Sequence, residues 1–71
     1  MFELGQLVES KILFHHNHHK EKWINAVVIG KHESRRTYDL VIINAKKHRV
    51  VPLAYQVSHK NVRKREEYGK I

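Results

Sequence analysis

Lys22-Trp23-Ile24-Asn25-Ala26-Val27-Val28-Ile29-Gly30 and Thr37-Tyr38-Asp39-Leu40-Val41-Ile42-Ile43 decide the fold class of this chain. Both runs are rich in β-branched and aromatic residues, which fit a pleated, half-buried surface. Each is bounded by turn or charged residues. The first, Lys22 to Ile29, reads as a strand that ends in a turn at Gly30. The second, Thr37 to Ile43, reads as a strand closed by Asn44-Ala45-Lys46. Lys31 to Arg36 between them is a charged loop.

Outward from this pair the same pattern continues. Gln6 to Phe14 alternates, with Val8, Ile12 and Phe14 on one parity and Leu7 and Leu13 on the other. Gly5 precedes it as a turn residue. His15 to Glu21 is polar and is expected to be a loop. His48 to Val51 reads as a fourth strand, limited by Pro52, which cannot donate to a ladder. Val57-Ser58-His59-Lys60-Asn61 reads as a short turn or 3₁₀ piece, and Val62 to Lys64 as a short fifth strand. Ser58 to Gly69 is a helical competitor, but Val62 and Tyr68 alone make a poor apolar face. Glu66 to Ile71 is expected to be a frayed tail.

Strands of about seven residues with turn signals every ~8–12 residues predict an all-β barrel or sandwich. In 71 residues there is room for one domain. The expectation is five short strands closing into one small barrel over residues 1–65, with residues 66–71 as a tail. Closure would also remove exposed strand edges. A domain this small buries only ~60% of its unfolded surface, so a deep enzyme pocket would remove core that it needs. A surface site is expected.

Composition narrows the class further. No apolar run approaches the ~18 residues of a membrane span, and no basic amphipathic helix is present, so no membrane partner is expected. The opening Met-Phe-Glu-Leu-Gly has no features of a secretory leader. There is no Cys, hence no disulfide framework, thiolate metal site or Cys nucleophile. An intracellular, nuclear or nucleic-acid-associated location is the simplest expectation. No catalytic motif appears: no Gly-rich phosphate loop, no paired metal-binding histidines around a glutamate, no nucleophile elbow. Ser58-His59 is an adjacent pair in a turn, and Asp39 reads as a ladder or surface residue. The chain is expected to bind rather than catalyse, without a cofactor.

The net charge is +7, from 14 Lys+Arg against 7 Asp+Glu. The excess lies almost wholly in the second half of the chain, in three groups: Arg35-Arg36, Lys46-Lys47-His48-Arg49 and Arg63-Lys64-Arg65. Such clustering is the electrostatic signature of phosphate binding. The candidate phosphate contacts are Arg35, Arg36, Lys46, Lys47, Arg49, Arg63, Lys64 and Arg65. The arginines are favoured because their planar fork contacts phosphate in bidentate fashion. Trp23 and Tyr38 are the candidate aromatic contacts, able to stack a base of a single strand. The plain reading of the charge is a solvated surface that keeps a small domain soluble. The His15-His16-Asn17-His18-His19 cluster could chelate a metal loosely, but nothing supplies a second ligand element, so no metal site is assigned. Below about pH 6.5 the seven histidines add positive charge.

Read in order, Gly5-Gln6-Leu7-Val8, Trp23-Ile24-Asn25-Ala26-Val27-Val28, Thr37-Tyr38-Asp39-Leu40-Val41 and Val57…Asn61-Val62-Arg63 resemble small SH3-like barrels of the Tudor type. They are also similar to the SH3-like C-terminal domains of retroelement integrases, with the Lys22-Trp23 and Arg36-Thr37-Tyr38 strands and a basic finish. The resemblance covers roughly residues 2–65. It implies a five-stranded barrel with a 3₁₀ turn before the last strand. It also implies DNA, chromatin or RNA–protein surroundings. Trp23 and Tyr38 match aromatic positions of the Tudor pattern. Ile42-Ile43-Asn44-Ala45 stands where that family carries an aromatic and acidic turn, which weakens a methyl-lysine or methyl-arginine cage. Two alternatives therefore stay open beside nucleic acid. One is a Tudor-type reader of methylated lysine or arginine peptides. The other is a protein-docking module of a larger assembly, on a histone-type or acidic neighbour.

Overall fold

The computed structural model describes residues 2–13 and 21–65. Five antiparallel strands form one sheet: β1 (Leu7–Leu13), β2 (Glu21–His32), β3 (Thr37–Ile42), β4 (Leu53–Ser58) and β5 (Val62–Lys64). Their order across the sheet is β4-β3-β2-β1-β5. A single helical turn, α1 (Ala45–His48), joins β3 to β4, and a 3₁₀ turn at His59–Asn61 leads into β5. The all-β class, the five strands and the 3₁₀ turn agree with the sequence reading.

Alternation builds the core. Val8 and Ser10 on β1, Ile24, Ala26 and Val28 on β2, and Tyr38, Leu40 and Ile42 on β3 are all buried. They face one side because side chains alternate with a period of two. Register stacks them into rows. Val8 pairs with Ala26 and Ala26 with Ile42, while Val28 pairs with Leu40. Ser10 sits between Ile24 and Val62 and is fully buried. Its hydroxyl has no hydrogen-bond partner among the described residues.

Three expectations are corrected. First, β2 does not end at Gly30. It runs on to His32, and Gly30 lies opposite Asp39 in the ladder. A Cβ at residue 30 would sit 2.7 Å from Asp39 Oδ2. Glycine is needed there for close approach and not for a turn. Gly5, by contrast, does turn the chain, at φ +83°.

Second, the fourth strand is not His48 to Val51. Residues Ala45–His48 form α1, bracketed by Asn44 at φ 57° and Arg49 at φ 59°. Ala45 drops into the core, and the Val50 N–H donates back to the Ala45 carbonyl. Those contacts outweigh the β-branched preference of Val50-Val51, and β4 starts only after Pro52. Lys46, Lys47 and Arg49 therefore stand on and beside a helical turn, not in a hairpin.

Third, the sheet is not closed into a barrel among the described residues, because β4 and β5 are its two ends. The three residues of β5 pair with β1 alone. The 3₁₀ turn spans the gap, anchored by the His59 N–H on the Arg36 carbonyl at 2.9 Å. The fold is compatible with an SH3-like sheet. The His15–His19 cluster and the residue 66–71 tail lie outside the described residues.

Asp39 marks where the sheet bends. The β2–β3 register shifts between Val28 and Gly30, and the β3–β4 register shifts between Tyr38 and Leu40. Each neighbouring strand thus carries an extra residue beside this one position, Ile29 on β2 and one of Tyr55-Gln56 on β4. Bulges of this kind bend a strand and raise its twist.

Candidate anion-binding surface

All eight candidate phosphate contacts are exposed. Arg35 and Arg36 occupy the four-residue turn between β2 and β3. Lys46 and Lys47 lie on α1, and Arg49 closes it. Arg63 and Lys64 lie on β5, with Arg65 just after. The first two groups do not merge into one patch. The β2–β3 turn and α1 stand at opposite ends of β3, whose six residues span about 20 Å. The third group lies on and just after β5, which follows the 3₁₀ turn whose His59 N–H bonds the Arg36 carbonyl.

Among the described residues, carboxylates do little to neutralise them. Glu3 pairs with Lys31 at 3.2 Å, Asp39 with His32 at 3.0 Å, and Glu9 with Arg63 at 2.6 Å. Among the described residues, Arg63 is the one candidate of the eight that pairs with an acid. Arg35 donates from Nη1 to Gln56 Oε1 at 3.3 Å, which ties the β2–β3 turn to β4.

The two aromatic candidates have different surroundings. Trp23 is half-buried, pairs with Lys11, and alternates with buried Ile24. It therefore lies on the outer face of the sheet. Arg63 reaches across β1 to it. Its guanidinium carbon lies 4.1 Å from the ring centroid, while its Nε donates to Glu9. Tyr38 is on the buried face, 5% exposed. Its hydroxyl accepts the Phe2 N–H at 3.1 Å, and its ring lies 5.6 Å from that of Phe2. Tyr38 as a surface aromatic is therefore corrected: it is a core residue, and it shares no site with Trp23. The structure joins instead two candidates that the sequence reading kept apart, Trp23 and Arg63.

Sequence reasoning also missed Glu9 and the group around Asp39. Asp39 Oδ1 accepts the Gln56 N–H at 2.9 Å, and Oδ2 meets His32 Nε2 at 3.0 Å. The Gln56 amide holds the Asp39 carboxyl below the ordinary carboxylate range, aided by His32 and opposed by partial burial. Gln56 itself adopts φ 53°. A lone acid within an apolar strand was the available signal for such an anchor. Its partners depend on register, which the sequence does not display.

The described residues contain no cluster of three or more His, Asp or Glu suited to a metal. No family model, curated protein or solved structure matches the chain.

Proposed function

We propose that this chain is a non-enzymatic binding module, associated with nucleic acid or chromatin, that contacts phosphate through its basic groups. One observation carries the reading. Eight basic side chains in three groups are exposed, and seven of them meet no carboxylate among the described residues. A polyanion would supply the missing counter-charges and release condensed cations as it binds. Separate groups, some 20 Å apart along β3, suit an extended backbone better than a compact anion. The Tudor-type and integrase-type sequence resemblance agrees with such a role and with an intracellular, nuclear location. Arg63, whose guanidinium carbon lies 4.1 Å from the Trp23 ring centroid, could offer a planar cation for stacking or for phosphate.

The test is titration of labelled duplex and single-stranded DNA and RNA at two salt concentrations. Each phosphate contact should contribute about −0.7 to −0.9 to the slope of log affinity against log salt. Binding without a salt slope would sink the proposal. A methyl-cation reader is the poorer alternative, since Tyr38 is buried and Trp23 already carries Arg63. The protein-docking alternative has an observation of its own, the open edge of β4.

A further inference from the structure

β4 is unlike the rest of this chain. Charged residues make up 30% of the sequence, yet Val50 to Ser58 contains none. Within it Val51, Leu53 and Tyr55 alternate and are 72%, 43% and 64% exposed. Among the described residues β4 is also an end strand of the sheet. Natural edge strands are usually blunted by charge, and this one is not.

The hydrogen-bond phase shows what the edge presents. The Ile42 N–H donates to the Pro52 carbonyl at 2.7 Å, so that facing pair is a hydrogen-bonded one. Antiparallel alternation then directs the backbone groups of Ala54 toward β3. Leu53 and Tyr55 direct theirs to the open edge. The same residues hold their apolar side chains on the outer face. Leu53 is moreover the last member of a row. Leu7 pairs with Val27, Val27 with Val41, and Val41 with Leu53. A further strand beside β4 would continue both the ladder and this apolar row.

Charge decides the occupant. Lys46, Lys47 and Arg49 precede β4. Lys60 follows it, together with Arg35 bonded to Gln56 and Arg36 held by His59. Both ends of the edge are basic. A second copy of this chain would bring basic groups against basic groups at both ends, in either orientation. We infer that the open edge of β4 takes up, as an added strand, an extended peptide of a partner protein, apolar at alternate residues and acidic at both ends. Main-chain pairing would supply the affinity and the flanking acids the selectivity. The inference goes beyond nucleic-acid binding and does not depend on it.

The probe is a synthetic peptide with alternating valine and threonine at its centre and paired glutamates at both ends. A lysine-ended version and an oligothymidylate serve as controls. Amide NMR of the full chain should show Leu53 and Tyr55 shifting with the acidic peptide, and their exchange slowing by about tenfold or more. The lysine-ended peptide should leave them unmoved. Tyr55→Pro removes an outward N–H while sparing the β3 ladder, and should weaken peptide binding by at least about tenfold. Tyr55→Thr keeps the donor and should bind better than the proline variant. Leu53→Lys provides an independent block should the proline variant not fold. Three results would overturn the inference. They are equal binding of both peptides, the same Leu53 and Tyr55 shifts with oligothymidylate, or protection of these amides by self-association without peptide.

Discussion

The guanidinium of Arg63 lies 4.1 Å above the Trp23 ring while its Nε donates to Glu9 at 2.6 Å, so β5, β1 and β2 are tied together across the outer face of the sheet. At a half-exposed site a cation–π contact contributes about 0.5–1 kcal/mol and a surface ion pair about 0–1. Arg63→Ala should lower stability by about 1 kcal/mol and change Trp23 fluorescence in the folded state. Arg63→Lys should recover only part of this, because an ammonium does not stack as a plane. Urea denaturation followed by Trp23 emission measures both. An unchanged midpoint and spectrum for Arg63→Ala would show that the contact is not formed in solution.

Asp39 makes stability depend on acid. Its folded-state pKa lies below its unfolded value, chiefly through the Gln56 amide. Its contribution is therefore present above the unfolded pKa of ~3.9, and is lost as pH falls through the folded value. Stability should decline below about pH 4. Asp39→Asn should flatten that part of the profile, as measured by thermal melts between pH 2.5 and 6. A variant whose acid limb is as steep as that of the parent chain would contradict this account.

Gly30 should resist even alanine. The added Cβ would meet Asp39 Oδ2 at 2.7 Å and Asp39 Cβ at 3.2 Å. Crowding of this kind typically costs about 1–3 kcal/mol. Gly30→Ala should also disturb the His32–Asp39 pair, visible as altered His32 ring chemical shifts by NMR. Undiminished stability together with unaltered His32 ring shifts would show that the bulge relaxes freely.

Ser10 points the other way. Its hydroxyl is buried without a partner among the described residues, between Ile24 and Val62. Leaving such a group unpaired is costly, so Ser10→Ala should leave stability unchanged or raise it by up to about 1 kcal/mol. A clear loss in denaturant would reveal a partner for the hydroxyl.

The spacing of the basic groups predicts a length effect. With α1 and the β2–β3 turn about 20 Å apart along β3, a nucleic acid shorter than about six base steps of 3.4 Å cannot reach both. Replacing Lys46 and Lys47 by Gln, or Arg35 and Arg36 by Gln, should each reduce the salt slope on a long duplex. On a very short one, only one of the two pairs should matter. Equal effects at both lengths would place the ligand elsewhere.

The strands most readable in advance were those with local support. Trp23 to Ile29, Thr37 to Ile42 and the alternation about Val8 carry the core parity in their own side chains, and the Ser58-to-Asn61 turn carries its own cap. The exposed charge was equally legible, since lysine and arginine stay in water wherever the chain goes. What could not be read were properties of pairs. Gly30 looks like a turn until Asp39 is seen across the ladder. Val50-Val51 look like a strand until Ala45 is found filling the core. Trp23 and Tyr38 look like one aromatic site until alternation places them on opposite faces. The open edge of β4 follows from strand order alone. Periodicity and solvation act on each residue singly, and so they are written in the sequence. Register, bulges and edges depend on which residues meet across strands, and in this chain that is set when the sheet forms.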